Sequence, residues 1–170
     1  MMRLGVLVAG LMGLAMVSAS AADSSLSTQA NAAFLAANAK KPGVTVQPSG
    51  LQYRVLHTGF GKRPKGTDLV TVEYKGSLIN GKVFDSTEPG LPAQFTANKL
   101  IPGWTEALQL MREGDEWELV IPANLAYGAR GAGDGVIPPN QVLVFQLKLI
   151  SVAPPPKEPP SDQDQNSGSQ

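Results

Sequence analysis

No cysteine occurs among the 170 residues, and histidine occurs once, as His57. A disulfide framework, a thiolate metal site and a catalytic thiol are therefore excluded, and a His-rich zinc site or a Ser-His-Asp triad is disfavoured. An excess of one charge is also lacking, since 14 basic side chains face 14 acidic ones. With the charges balanced and no run of like charge, nothing suggests a basic face for nucleic acid or a polybasic patch for an anionic membrane. Gly59-Phe60-Gly61 lacks the third glycine at the right spacing and no helix follows it, so it is not a phosphate loop. The sequence calls for no metal and no cofactor.

The one long apolar run stands at the N-terminus. Arg3 precedes Leu4 to Val17, and Ala19-Ser20-Ala21 has the small-x-small form of a cleavage site. The run is short for a bilayer span, which needs about 20 residues. Residues 1–22 thus read as a cleaved signal peptide. No cysteine follows the run, so a lipid anchor there is excluded. The expected mature protein is periplasmic or secreted, without a stable membrane anchor, and it carries 13 basic and 14 acidic residues.

Residues 23–41 are Ala-rich and read as a short helix ending before Pro42-Gly43, with Phe34 and Leu35 as its only large apolar residues near the centre. Such a helix is marginal alone and needs a partner surface. Residues 42–50 read as a linker.

From Leu51 onward the apolar pattern alternates. Leu51, Tyr53 and Val55 suggest one strand, Leu69 to Ile79 a longer one, and Lys82 to Asp85 its return. Asn80-Gly81 between them signals a two-residue hairpin turn in which both positions tolerate positive φ. Trp104, Ala107, Leu108 and Met111 fall at i, i+3, i+4 and i+7, which predicts a short amphipathic helix. Strands follow at Glu116 to Ile121 and Val142 to Ile150, on either side of a Gly-rich loop from Asn124 to Asn140. The fold class is α+β: an antiparallel sheet of five or six strands wrapped on one short helix. The Pro-, Ser-, Asp- and Gln-rich tail, residues 154–170, cannot bury a core and is expected to be disordered.

Five motifs then occur in order: Val72-Glu73-Tyr74-Lys75-Gly76, Val83-Phe84-Asp85-Ser86-Thr87, Leu100-Ile101-Pro102-Gly103-Trp104, Leu125-Ala126-Tyr127-Gly128, and Ile137-Pro138-Pro139-Asn140 with Leu143-Val144-Phe145. Each is common alone. Together, at this spacing over residues 51–153, they resemble the motif series of FKBP-type peptidyl-prolyl cis/trans isomerases. Pro48-Ser49-Gly50-Leu51-Gln52-Tyr53 and Ile101 to Ala107 are similar to the exported bacterial macrophage infectivity potentiator group.

The resemblance implies an apolar prolyl pocket with Trp104 as its floor and Tyr74, Phe84, Phe95 and Phe145 as walls. Leu100 and Ile101 would line one side, the Ile101 N–H donating to a substrate carbonyl, and Ile137 would cap the pocket. Asp85 and Tyr127 would be its polar groups, and with Ile101 they form the implied catalytic set. Clients would be unfolded or proline-containing polypeptides, and macrolides such as rapamycin would inhibit. Ala93 stands where many members carry a further aromatic residue, which implies a thinner wall. The loop from Gly128 to Gly135 is one residue longer than in compact members, and the shorter N-terminal arm implies a monomer.

Taken singly, the same residues have plainer readings. Trp104 and Phe145 suit a core, Tyr74 a sheet, Asp85 a turn before Ser86-Thr87, and Tyr127 a loop anchor. A groove of this kind could also bind peptide without catalysis, as a chaperone does. A third reading makes Pro154 to Pro160 a polyproline docking segment.

Overall fold

The computed structural model describes residues 24–155; the expected signal peptide and most of the expected C-terminal tail lie outside the described residues. In chain order the elements are α1 (Thr28–Asn38), β1 (Val44–Val46), β2 (Gln52–His57), β3 (Leu69–Leu78), β4 (Val83–Ser86), β5 (Ala93–Thr96), α2 (Pro102–Leu110), β6 (Glu116–Ile121) and β7 (Leu143–Ala153). The strands form one antiparallel sheet in the order β1-β2-β6-β7-β3-β4, with β5 also paired to β3.

The α+β reading holds, with seven strands rather than five or six. The two unexpected strands are β1, inside the stretch read as a linker, and β5, directly after the Pro89–Pro92 turn. Both are too short to show a period-2 pattern, and each pairs with one neighbour only. Strand β7 runs on to Ala153 because Leu69 to Thr71 of β3 pairs with Ser151 to Ala153.

The hairpin between β3 and β4 also differs from the expectation. Leu78 and Lys82 close a three-residue loop, with Leu78 N donating to Lys82 O at 2.9 Å. Gly81 alone takes positive φ, at +85°, so the loop is a tight turn followed by one left-handed residue.

The core lies between the sheet and α2. Val70 and Val72 of β3, Trp117, Leu119 and Ile121 of β6, and Leu143 to Leu149 at alternate positions of β7 face it. Trp104, Ala107 and Leu108 of α2 fill it from the other side, as the helical spacing requires. Pro102 occupies the first turn of α2, where a missing N–H costs nothing.

Helix α1 is shorter than the expected 23–41, because Ser27 caps it, its Oγ accepting from Ala30 N at 3.1 Å, and a single 3₁₀ turn, Ser24–Leu26, precedes it. It docks through polar side chains. Its buried residues are Asn31 and Asn38, while Phe34 and Leu35 are half-buried, and Lys41 Nζ sits 5.7 Å above the Phe34 ring. Asn38 Nδ2 donates to Gln52 Oε1 at 2.9 Å, and Gln52 Nε2 donates to Leu35 O at 3.1 Å. Gln52 and its register partner Val120 are both buried, and α1 covers Gln52 through these bonds.

Candidate functional site

Four strands and the start of α2 converge on a cavity of about 360 Å³. Trp104, buried at its base, comes from the first turn of α2. Tyr74 projects from β3, Phe84 and Asp85 from β4, Phe95 from β5 and Phe145 from β7. Leu100 and Ile101 line the side next to α2, Tyr127 enters from the loop after β6, and Lys99 stands at the rim.

The aromatic rings are held edge-on to one another. Trp104 meets Tyr74 at 5.1 Å between centroids and Phe145 at 5.2 Å, both close to perpendicular. Phe84 meets Phe145 at 5.5 Å and 87°. Such contacts place positive ring edges on negative faces, which favours one arrangement over a merely greasy cluster. The indole N–H of Trp104 is buried and has no hydrogen-bond partner among the described residues.

Gly76 allows the Phe84–Phe145 contact. It pairs with Phe145 across β3 and β7 and with Asp85 across β3 and β4. A Cβ at Gly76 would stand 2.5 Å from Phe145 Cε1 and 2.7 Å from Phe84 Cζ, so no other residue leaves room for both rings. The sequence placed Gly76 inside a motif but assigned it no task.

Thr87 was likewise unassigned, and it fixes Tyr74. Tyr74 N donates to Thr87 Oγ1 at 3.1 Å, and Thr87 N donates to Tyr74 O at 3.0 Å. Across the cavity mouth, Tyr74 Oη donates to Asp85 Oδ2 at 2.7 Å. Burial, and secondly the hydrogen bond to Asp85, push the Tyr74 phenol well above its ordinary range. Tyr74 is thus a neutral donor at any physiological pH.

Ile101 caps α2 in an extended conformation, and its carbonyl accepts from Trp104 N and Thr105 N at 3.0 and 3.1 Å. Its own N–H belongs to the opening turn, where no preceding carbonyl exists to receive it, so it can serve a bound molecule. Tyr127 is 41 % exposed and sits next to Gly128, which has φ +57°.

The structure brings nine of the ten sequence-derived site residues around this cavity. The exception is Ile137. It is 6 % exposed, packs in the core and pairs with Ala132 in a narrow loop, so it is not part of the lining. Ala93, in β5, is not part of the lining either.

A second cavity, of about 320 Å³, lies beside Val55, Leu110 and Trp117. Its carboxylate, Asp115, is already spent: it accepts from Gly59 N at 2.6 Å and from Arg112 N at 2.8 Å. The aromatic cavity joins the Asp85 carboxylate, the Tyr127 hydroxyl and the Lys99 ammonium to an apolar lining, the combination expected of a ligand site. No cluster of three His, Asp or Glu residues that could hold a metal occurs among the described residues.

Residues 61–150 match the model of a family described as FKBP-type peptidyl-prolyl cis-trans isomerase. Residues 11–55 match that of the domain amino terminal to such isomerases. An outer membrane protein MIP of Legionella longbeachae is 58 % identical over 121 residues, which are 71 % of this chain and 52 % of the relative. An FKBP-type 22 kDa peptidyl-prolyl cis-trans isomerase of Escherichia coli is 53 % identical over 120 residues, 70 % of this chain and 58 % of the relative. The chain therefore spans somewhat over half the length of these curated relatives. The crystal structure of a peptidyl-prolyl cis-trans isomerase from Pseudomonas syringae pv. tomato aligns with a TM-score of 0.69 at 42 % identity, covering 74 % of this chain and 92 % of that one.

Proposed function

The chain belongs to the family of FKBP-type peptidyl-prolyl cis-trans isomerases, and we propose that it accelerates rotation about X-Pro bonds in other polypeptides through the aromatic cavity. The observation that carries this reading is the convergence of Tyr74, Phe84, Asp85, Ile101, Trp104 and Tyr127 from four separate chain segments on one cavity.

Rotation about the amide must cross a barrier of about 18–20 kcal/mol, most of it lost resonance. Uncatalysed X-Pro isomerisation accordingly takes tens to hundreds of seconds. No bond to carbon breaks, so neither a nucleophile nor a metal is required. The planar amide is strongly dipolar and the twisted one is less so. An apolar cavity therefore disfavours the planar form relative to the twisted one. Catalysis follows if the cavity fits the twisted form better.

In this reading the prolyl ring sits over Trp104, between Tyr74, Phe84, Phe95 and Phe145. Ile101 N–H donates to a substrate carbonyl and holds the backbone. Tyr127 Oη donates to the substrate backbone near the rotating bond. Asp85, oriented by Tyr74, places its carboxylate at the carbonyl whose polarity falls in the twist.

The finer parts of the proposal are these. The isomerase domain is residues 51–153, preceded by a short helical arm, and the N-terminal 22 residues direct export to the periplasm or beyond. Clients are unfolded or proline-containing polypeptides, rapamycin-type macrolides compete for the cavity, and the protein is a monomer. The basic-apolar-small pattern of residues 1–22 supports export, as does the similarity to a protein named for the outer membrane.

The test is isomerisation of short X-Pro peptides by the purified protein, with and without rapamycin, beside an Asp85→Ala, Tyr127→Phe double variant. Rapid turnover, blocked by the macrolide and reduced in the variant, is the expected result. A folded protein inactive on every X-Pro peptide would sink the enzyme reading and leave the cavity as a peptide-binding surface.

A further inference from the structure

Tyr127 stands at the start of a loop that continues to Asn140, and the far end of that loop is tied to helix α1 rather than to the sheet alone. Val142 N donates to Asn31 Oδ1 at 2.7 Å. Asn31 Nδ2 donates to Gln141 Oε1 at 3.2 Å and to Ser27 O at 2.9 Å. Gln141 Nε2 donates to Leu26 O at 3.0 Å and to Pro139 O at 2.9 Å. Asn31 and Gln141 are 4 % and 5 % exposed, so water cannot replace these partners cheaply.

The tie then reaches the cavity through the backbone. Asn140, held at φ +59°, donates its N–H to Gly128 O at 2.8 Å. Gly128 directly follows Tyr127. A polar chain therefore runs from the first turns of α1 through Gln141 and Pro139 to Asn140, Gly128 and the hydroxyl-bearing residue of the site.

We infer that Asn31 is a positioning residue for Tyr127: α1 holds the 128–140 loop in place, and loss of its anchor misplaces the tyrosine. The inference rests on the isomerase reading of the aromatic cavity. It also makes α1 a working part of the site, although no residue of α1 lines the cavity. Asn38 supplies the contrast within the same helix. It is 2 % exposed and bonded to Gln52 of β2, with no link to the loop.

The test compares Asn31→Ala with Asn38→Ala in the full protein. Both are expected to lower the denaturation midpoint, since each orphans a buried amide partner. Only Asn31→Ala should lower kcat/KM on X-Pro peptides, by roughly tenfold, because small misplacements of a reacting group are costly. That loss should shrink to within about twofold in a Tyr127→Phe background, as expected of residues acting as a unit. Amide hydrogen exchange at Asn140 should quicken roughly tenfold in Asn31→Ala and stay unchanged in Asn38→Ala. If Asn31→Ala does not fold, Gln141→Ala takes its place, since it cuts the link from Leu26 to Pro139 and leaves Asn31 bonded to Val142. Wild-type kcat/KM in the anchor variant, or an equal loss in Asn38→Ala, overturns the inference. If the wild type isomerises no X-Pro peptide, the isomerase reading fails, and exchange at Asn140 alone decides whether the helix holds the loop.

Discussion

Tyr74 Oη and Asp85 Oδ2 lie 2.7 Å apart across the mouth of the aromatic cavity, joining β3 to β4 by a side-chain hydrogen bond. Asp85 is the only carboxylate among the lining residues. The phenol fixes its direction while the rest of the carboxylate stays exposed to a substrate.

This pair carries a pH signature. The Tyr74 phenol is pushed above its ordinary value, chiefly by burial and then by Asp85. Above about pH 10 an unfolded tyrosine loses its proton, whereas the folded protein keeps it. The folded state then binds more protons than the unfolded one, so stability falls as pH rises. The urea midpoint should be independent of this group up to about pH 9 and decline above about pH 10. In Tyr74→Phe that decline should be shallower. An identical alkaline slope in both proteins would show that the phenol ionises alike folded and unfolded.

Gly76→Ala tests the wall of the cavity. The new methyl would meet Phe145 and Phe84 at 2.5 and 2.7 Å. Overpacking of this kind costs about 1–3 kcal/mol. The rings must also move, so kcat/KM on X-Pro peptides should fall by more than roughly tenfold. Denaturation and peptide isomerisation measured on the same preparation separate the two effects.

Thr87→Val removes the hydroxyl that receives Tyr74 N at 3.1 Å and keeps the shape. The expected loss of stability is about 1 kcal/mol. Activity should fall less than in Gly76→Ala, because Tyr74 keeps the backbone bond in which its carbonyl accepts from Thr87 N. Chemical denaturation and the peptide assay check both statements.

Lys99 is the only cation among the lining residues and is exposed at the rim. Peptides with glutamate next to the proline should therefore be favoured over those with lysine. An exposed pair of this kind is worth about 0.2–1 kcal/mol, which limits the preference to a few-fold in KM. High salt or Lys99→Ala should abolish it. A preference that survives both would assign the selectivity to another residue.

Much of this arrangement was legible beforehand, for identifiable reasons. Strands β3, β6 and β7 each bury one face, so their apolar residues alternate visibly, and α2 shows its stripe from Trp104 to Leu108. Strands β1 and β5 were hidden because three or four residues carry too little pattern, and both stand close to prolines. The Asn80-Gly81 pair announced a two-residue hairpin turn, and the bond from Leu78 N to Lys82 O makes the loop three residues long instead. Helix α1 was expected to need a partner surface, and it has one, but the sequence did not show that polar side chains rather than Phe34 and Leu35 would make the buried contacts. It docks through Asn31 and Asn38, whose partners Gln141 and Gln52 are distant in sequence.

The sequence by itself determined the α+β class, the order of the motifs and the residue types a prolyl pocket needs. The class follows from local periodicity, which a linear chain displays, and the pocket residue types are what the resemblance of the ordered motifs to the family implies. Only the tertiary structure decided that Ile137 belongs to the core and not to the cavity lining. It alone decided that Gly76 is the space into which Phe84 and Phe145 pack, and that Asn31 is tied to the loop of Tyr127. Each of these depends on the distance between residues far apart in the chain, and that distance is set by the register of β3 with β7 and by the seating of α1 on the sheet.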